Sequence, residues 1–285
     1  MTSETAGAVR ESRPSMLEIA EAIAPGWERR RAFVETVSAP VRAWIVRALE
    51  PRAGTTVLEL AAGVGDTGLA AAERLGPSGR LISTDFSAPM VEAARRRADE
   101  LGVSNVEFRT MDAERMDLED DSVDGVLCRW GYMLMADPVA ALTETRRVLR
   151  PEGRVAFSVW ADPDANPWAS VPARALIEHT GARLPDPLAP GIFAMASEER
   201  TRELLDAAGL RPLRMEHVEM EWEFDTPDDH WRYVMDLAGA LAMVIRTMPE
   251  REQAAVRRLT EERLEPLARE PGYRLAGLCL NVLAE

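Results

Sequence analysis

The chain has 285 residues, 46% of them hydrophobic, with 34 basic against 48 acidic side chains and a formal net charge of −14. That length buries one sizeable core, and the acidity opposes nucleic acid or an anionic membrane surface as a partner, because both take their affinity from lysine and arginine. Every basic residue is an arginine, which removes a lysine Schiff base, a Walker-type phosphate lysine and a kinase-type ATP lysine together.

Two cysteines, Cys128 and Cys279, are too few for a disulfide framework or a structural zinc. The three histidines, His179, His217 and His230, fall at no metal-ligand spacing. No metal site is expected. The opening residues are polar without an apolar secretory core, and no apolar run approaches the roughly 20 residues of a bilayer span. A cytoplasmic protein, not inserted in a membrane, is the expectation.

Residues 1–13 read as a disordered tail, small and polar without periodicity. Residues 14–50 read as an N-terminal helical cap of two helices, about 15–24 and 27–49, the second with Phe33, Val37, Val41, Ile45 and Leu49 at near-helical spacing. The pattern then changes to short apolar runs alternating with helices. TVLELA (56–61) is followed by a helix from Asp66 to Leu75, and RLISTD (80–85) by one from a Ser87 cap to about Leu101. VEFRTM (106–111), VDGVLCRW (123–130), a helix from Asp137 and GRVAFSVW (153–160) complete the series. Alternation of this kind predicts an α/β fold, a parallel sheet wound on both faces. Beyond Trp160, helices at about 168–180 and 197–208 precede a strand near 212–224 and a last one near 275–283. Between those strands, about 227–269 reads as two helices broken at Pro249. Residues 51–285 are thus expected to form one domain, carrying that segment as a helical lid.

The segment VLELAAGVGDTG places glycines at Gly63, Gly65 and Gly68, directly after the first strand. Gly63 and Gly65 let the backbone turn tightly and approach a ligand. In an open parallel sheet that position faces the ligand crevice, and Asp85, ending the second strand, can accept both ribose hydroxyls of an adenosine. Dinucleotides and S-adenosylmethionine both meet these requirements. Three residues favour the second. Asp66 at the helix start would repel a pyrophosphate but not a cation. Glu59 ends the strand where a carboxylate can help hold an ammonium group. Asp112 follows the third strand where it can accept from an adenine amino group, with the Ala113 N–H beside it.

With ISTDFSAPMVEAARRRA and the whole run from VEFRTMDAERM to GRVAFSVW, residues 56–160 resemble a class I S-adenosylmethionine-dependent methyltransferase. The nearest type is that of ubiquinone/menaquinone biosynthesis (UbiE-like) and its small-molecule relatives. The resemblance implies a Rossmann-like, doubly wound sheet of about seven strands in the order 3-2-1-4-5-7-6, the last antiparallel. It implies S-adenosyl-L-methionine as cofactor and S-adenosyl-L-homocysteine as product. Glu59, Ala61, Gly63 and Gly65 would line the methionine and ribose part. Asp85 would take the ribose hydroxyls, Phe86 and Met90 would pack on adenine, and Asp112 and Ala113 would receive its edge. The Arg129 backbone carbonyl would accept from the methionyl ammonium.

Methyl transfer needs alignment and desolvation more than a catalytic triad, and no triad is visible. RWGYMLM (129–135) supplies Trp130, Tyr132 and Met133 as candidate walls of a partly hydrophobic acceptor pocket, and Trp27 is a candidate lid residue. These side chains serve equally well as ordinary core. His230, His179 and Tyr132 are the candidate proton acceptors. The competing readings are an NAD-dependent oxidoreductase, which leaves Asp66 and Asp112 unexplained, and a non-catalytic S-adenosylmethionine-binding protein.

Overall fold

The computed structural model describes residues 15–183, 186, 188–269 and 272–285. The expected tail, residues 1–13, lies outside them. Helix α1 (Met16–Val37) opens on a capping box: the Ser15 hydroxyl accepts the Glu18 N–H at 3.2 Å and the Glu18 carboxylate accepts the Ser15 N–H at 2.7 Å. A break near Pro25 is expected from the sequence, yet α1 runs through it. The break falls instead at Ser38, where Pro40 enters the first turn of α2 (Ala39–Leu49). The cause is tertiary. Gly26 approaches α8 (Pro227–Leu237) so closely that a Cβ would overlap the Asp236 backbone. Arg29 and Arg30 both pair with the Asp236 carboxylate, at 2.6 and 2.7 Å. This docking holds a turn that proline alone would weaken.

The sheet follows from β1 (Thr56–Leu60), β2 (Arg80–Asp85), β3 (Val106–Thr110), β4 (Val123–Arg129), β5 (Leu149–Trp160), β6 (Pro212–Phe224) and β7 (Tyr273–Ala284). Helices α3 (Asp66–Leu75), α4 (Ala88–Leu101) and α5 (Pro138–Val148) make the crossovers, while α6 (Pro167–Thr180) and α7 (Glu198–Ala207) lead to β6. Strand order is β3-β2-β1-β4-β5-β7-β6, with β7 antiparallel to both neighbours. That is the order the resemblance implies. Leu58, Leu81, Val126, Leu127, Phe157 and Leu280 are all buried, because helices cover both faces and the central strands can stay apolar throughout.

The segment between β6 and β7 holds three helices rather than two: α8, α9 (Gly239–Thr247) and α10 (Glu250–Leu264). The additional break is at Gly239, whose φ of +48° suits glycine. In DLAGALAM, an isolated glycine inside a helical pattern gives no sign of that. No helix among the described residues is long and apolar enough to cross a membrane.

Candidate functional site

Strands β1 and β4 lie side by side, but their crossovers leave in opposite directions, so a crevice opens beyond their carboxyl ends. Two non-glycine residues there occupy the left-handed region, Ala61 with φ +50° and Trp130 with φ +61°. Such conformations cost about 1–3 kcal/mol each and concentrate at functional sites. Between them, Gly131 has no room for a Cβ, which would overlap Ala61 and the Cys128 sulfur. The two strand ends are therefore pressed together, and both chains turn away sharply.

The loop from Ala61 to Gly65 is tied to β2. The Ala62 N–H donates to the Thr84 carbonyl at 2.9 Å, and the Gly63 N–H donates to Asp85 Oδ2 at 2.9 Å. Asp85 Oδ1 accepts the Ser87 N–H at 2.9 Å. Burial pushes the Asp85 carboxyl above its usual range, against the pull of these backbone N–H groups. Phe86, 38% exposed, stands next to it, and Met90 is buried on the first turn of α4. Asp112 is exposed with Oδ1 accepting the Glu114 N–H at 2.9 Å, and Ala113 is half-buried. The adenosine-side candidates thus gather around the end of β2 and the start of α4.

Glu59 departs from its expected place. It is buried below the loop, where Oε1 accepts the Gly68 N–H at 2.6 Å and Oε2 accepts the Ser83 hydroxyl at 2.9 Å. Desolvation raises its pKa to about 8, which the Ser83 and Gly68 hydrogen bonds only partly oppose. It fixes α3 to the sheet. A carboxyl engaged on both oxygens and held toward its neutral form is not built to grip an ammonium.

Asp66 is not an open acidic invitation either. Arg129 sits beside it, Nη2 to Oδ2 at 3.5 Å, with side-chain exposures of 7% and 0%. Arg129 Nε also donates to the Thr67 hydroxyl at 2.9 Å, and its guanidinium lies 4.4 Å from the Trp130 ring centroid. Burial pushes the Asp66 carboxyl up and the Arg129 guanidinium down, each opposed by the other's charge. The sequence reading used only the Arg129 backbone. A charged residue closing the apolar run GVLC (125–128) was the signal that its side chain matters.

The candidate acceptor walls divide. Trp130 stacks on Trp160 at 4.4 Å between centroids, and Trp160, Trp168 and Trp222 continue the aromatic run at 4.8 Å per step through Trp168. Trp222 Nε1 donates to the Tyr233 hydroxyl at 3.0 Å. Tyr132 belongs to the core instead: it is fully buried, its hydroxyl bonded to Thr145 at 2.6 Å and its pKa raised by that burial. Met133 is likewise core, its sulfur accepting the Trp160 N–H at 3.5 Å. Both carry packing because the short turn at Tyr132–Leu134 directs them inward. Trp27 and Ile23 of α1 pack on Val64 of the glycine loop and on Met90, so α1 roofs the loop. His230 is buried, its Nε2–H donating to the Trp168 carbonyl at 2.9 Å, and desolvation lowers its pKa to about 4. His179 pairs with Glu252 between α6 and α10.

A methyltransferase-domain family model matches residues 51–185. A ubiquinone/menaquinone biosynthesis C-methyltransferase of Hahella chejuensis is 29% identical over 169 residues, covering 56% of this chain and 68% of that one. These matches support a class I S-adenosylmethionine-dependent methyltransferase of the UbiE-like type. An uncharacterised 37.1 kDa protein of a Streptomyces fradiae transposon is 42% identical over 117 residues, 41% of this methyltransferase chain but only 32% of that protein's length. The [4+2]-cyclase SpnF shares the fold with a TM-score of 0.57 at 17% identity, covering 95% of this chain and 97% of its own.

Two cavities of about 870 and 550 Å³ open at the other end of this methyltransferase sheet. Thr55, Asp124 and Gly125 line the first, at the amino ends of β1 and β4. Neither cavity touches the glycine loop. Their linings mix arginines with carboxylates.

Proposed function

We propose that this chain transfers a methyl group from S-adenosylmethionine to a small, partly hydrophobic acceptor, at carbon or oxygen. The observation that carries the reading is the first turn of α3. A dinucleotide would set its doubly negative pyrophosphate there, whereas this turn holds the buried Asp66 carboxylate, neutralised by Arg129. A buried ion pair of no net charge offers no compensation to a doubly negative diphosphate and tolerates a zwitterion. The donor set elsewhere fits an adenosine: an aspartate at the end of β2, a half-exposed aromatic after it, and an acidic turn after β3.

In this reading Asp85 accepts the ribose hydroxyls, Phe86 and Met90 pack on adenine, and Asp112 with the Ala113 N–H receives the adenine edge. Ala61, Gly63 and Gly65 let the backbone approach the ribose and methionine part, and the Arg129 carbonyl faces the ammonium. Bound there, S-adenosylmethionine supplies an already activated sulfonium methyl for in-line displacement and leaves as S-adenosylhomocysteine. The chain's own contribution is alignment and the exclusion of water. Trp27 roofs the loop, and Trp130 at the end of β4 supplies an apolar flank, backed by the buried run of Trp160, Trp168 and Trp222. Residues 14–50 act as a cap and 227–269 as a lid, joined by the Arg29 and Arg30 pairs with Asp236. A cytoplasmic setting and a partner list without nucleic acid accord with the charge of −14.

Radiolabelled methyl transfer to a pool of small metabolites tests this reading. Label should appear in acceptors with the wild type and be lost with Asp85→Ala, whose folding is checked by circular dichroism. Label transfer that is indifferent to Asp85 would remove the site assignment. Tight S-adenosylmethionine binding with no transfer to any acceptor would instead favour the non-catalytic reading.

A further inference from the structure

Strand β5 ends at Trp160, which pairs with Cys279, so Leu278 of β7 reaches one residue past it. An amide side chain from the following loop takes the strand's place. Asn166 Oδ1 accepts the Leu278 N–H at 2.9 Å, and Nδ2 donates to the Leu278 carbonyl at 3.0 Å. Nδ2 also donates to the Asp162 carbonyl at 3.0 Å, and Oδ1 accepts the Trp168 indole N–H at 3.2 Å. Asn166 is fully buried, and its donor and acceptor atoms are all engaged. It therefore fixes the loop to the sheet and sets the rotation of the Trp168 ring. That ring stacks on Trp222 with centroids 4.8 Å apart and 15° between planes, and meets Trp160 at 4.8 Å.

The main chain of Trp168 carries the connection onward. Its carbonyl accepts the His230 Nε2–H of α8 at 2.9 Å. Six residues further along α8, about 9 Å by helical rise, the Asp236 carboxylate holds Arg29 and Arg30 of α1. The Asp236 backbone also closes on Gly26, next to the Trp27 that packs over Val64 of the glycine loop. A second contact runs alongside, the Tyr233 ring of α8 meeting Phe33 of α1 at 5.5 Å. Hydrogen bonds and packed rings thus run without a gap from the aromatic flank to the roof of the glycine loop. Contacts of this kind couple two sites when one element answers to both, and α8 is that element.

We propose that Asn166 is a positioning residue for methyl transfer. It holds the Trp168 wall on the acceptor side and, through His230 and Asp236 on α8, the seating of Trp27 on the donor side. The two sides then form one mechanical unit, and by linkage whatever orders one tightens the other. The naming of the two ends rests on the reading above; the connection between them does not.

Calorimetry with S-adenosylmethionine on the full chain tests the connection by a double-mutant cycle of Asn166→Ala and Asp236→Asn, with folding checked by circular dichroism. Asn166→Ala should weaken donor binding by roughly 2- to 30-fold, although Asn166 bonds to no residue of the glycine loop. Asp236→Asn should weaken it to a similar degree. The double variant should lose no more than the weaker single one, because either change opens the same connection. Losses that multiply, or wild-type affinity in Asn166→Ala, overturn the proposal. If Asn166→Ala does not fold, the same cycle with Trp168→Phe decides, since phenylalanine lacks the indole N–H but keeps the carbonyl that His230 requires. A wild type that binds no S-adenosylmethionine sinks the donor reading alone. Amide hydrogen exchange then reads the connection without a ligand. Asn166→Ala should speed exchange in α1, with no further effect in the Asp236→Asn background, and unchanged exchange in α1 overturns the proposal.

Discussion

The Glu59 carboxyl occupies the space that the missing Cβ of Gly68 leaves open, and it accepts the Gly68 N–H at 2.6 Å. The third glycine of the loop is therefore required by a residue of the sheet, not by a ligand. Its folded pKa of about 8 lies above the unfolded value of 4.5. The folded chain keeps a proton that the unfolded chain releases. The resulting stability is complete below about pH 4.5 and is lost as pH rises toward 8, at about 1.4 kcal/mol per unit within that window. Glu59→Gln keeps an acceptor for Gly68 and gains a donor for Ser83. Urea unfolding of the two proteins from pH 5 to 8 should show the variant catching up with and then passing the wild type. Parallel pH profiles would place the titration elsewhere.

Asp66 and Arg129 should behave as a unit. Removing either one leaves a charge buried alone, a loss of about 3–5 kcal/mol, whereas removing both is close to neutral. Denaturant unfolding of Asp66→Asn, Arg129→Gln and the double variant should give a coupling energy of several kcal/mol. Additive single losses would mean that the 3.5 Å approach carries no energy.

His230 is expected to pack and not to catalyse. With its pKa lowered to about 4, it is a weak base at neutral pH, and its Nε2–H is committed to the Trp168 carbonyl. His230→Asn should lower stability by about 1–3 kcal/mol through the disturbed buried hydrogen bond. Turnover at pH 7.5 should stay within about twofold of the wild type, a small change on the scale of general-base losses. A loss of a hundredfold or more in kcat, with unchanged cofactor affinity, would restore it as a proton acceptor.

Gly26 gives a prediction whose sign opposes helix propensity. Alanine favours a helix interior over glycine by about 1 kcal/mol. At this position, however, the added methyl would overlap the Asp236 backbone and separate α1 from α8. Gly26→Ala should therefore lower the melting temperature. A rise would show that α1 and α8 do not approach as described.

Local chemistry was legible in the sequence, and long-range chemistry was not. The helix read from Asp137 starts there, the Asp137 carboxylate accepting the Ala140 N–H at 3.0 Å, and Asp85 ends β2 as read, although Ser87, read as the cap of α4, sits at that position without a side-chain cap hydrogen bond. Both follow from residues within a few positions of each other. The Arg129–Asp66 pair spans 63 positions and two elements, so no periodicity announces it. Tyr132 and Met133 read equally well as pocket or core, because composition does not say which way a short turn faces. Pro25 misled for a related reason: its helix is held by Asp236, more than two hundred residues away.

The central claim is that the crevice beside the glycine loop takes a phosphate-free, zwitterionic adenosine. Titration of the purified chain with S-adenosylmethionine and with NAD⁺, side by side in a calorimeter, tests it most directly. The account predicts saturable one-to-one heat with the first, lost in Asp85→Ala, and none above dilution with the second. Saturable binding of NAD⁺ in place of S-adenosylmethionine would contradict it.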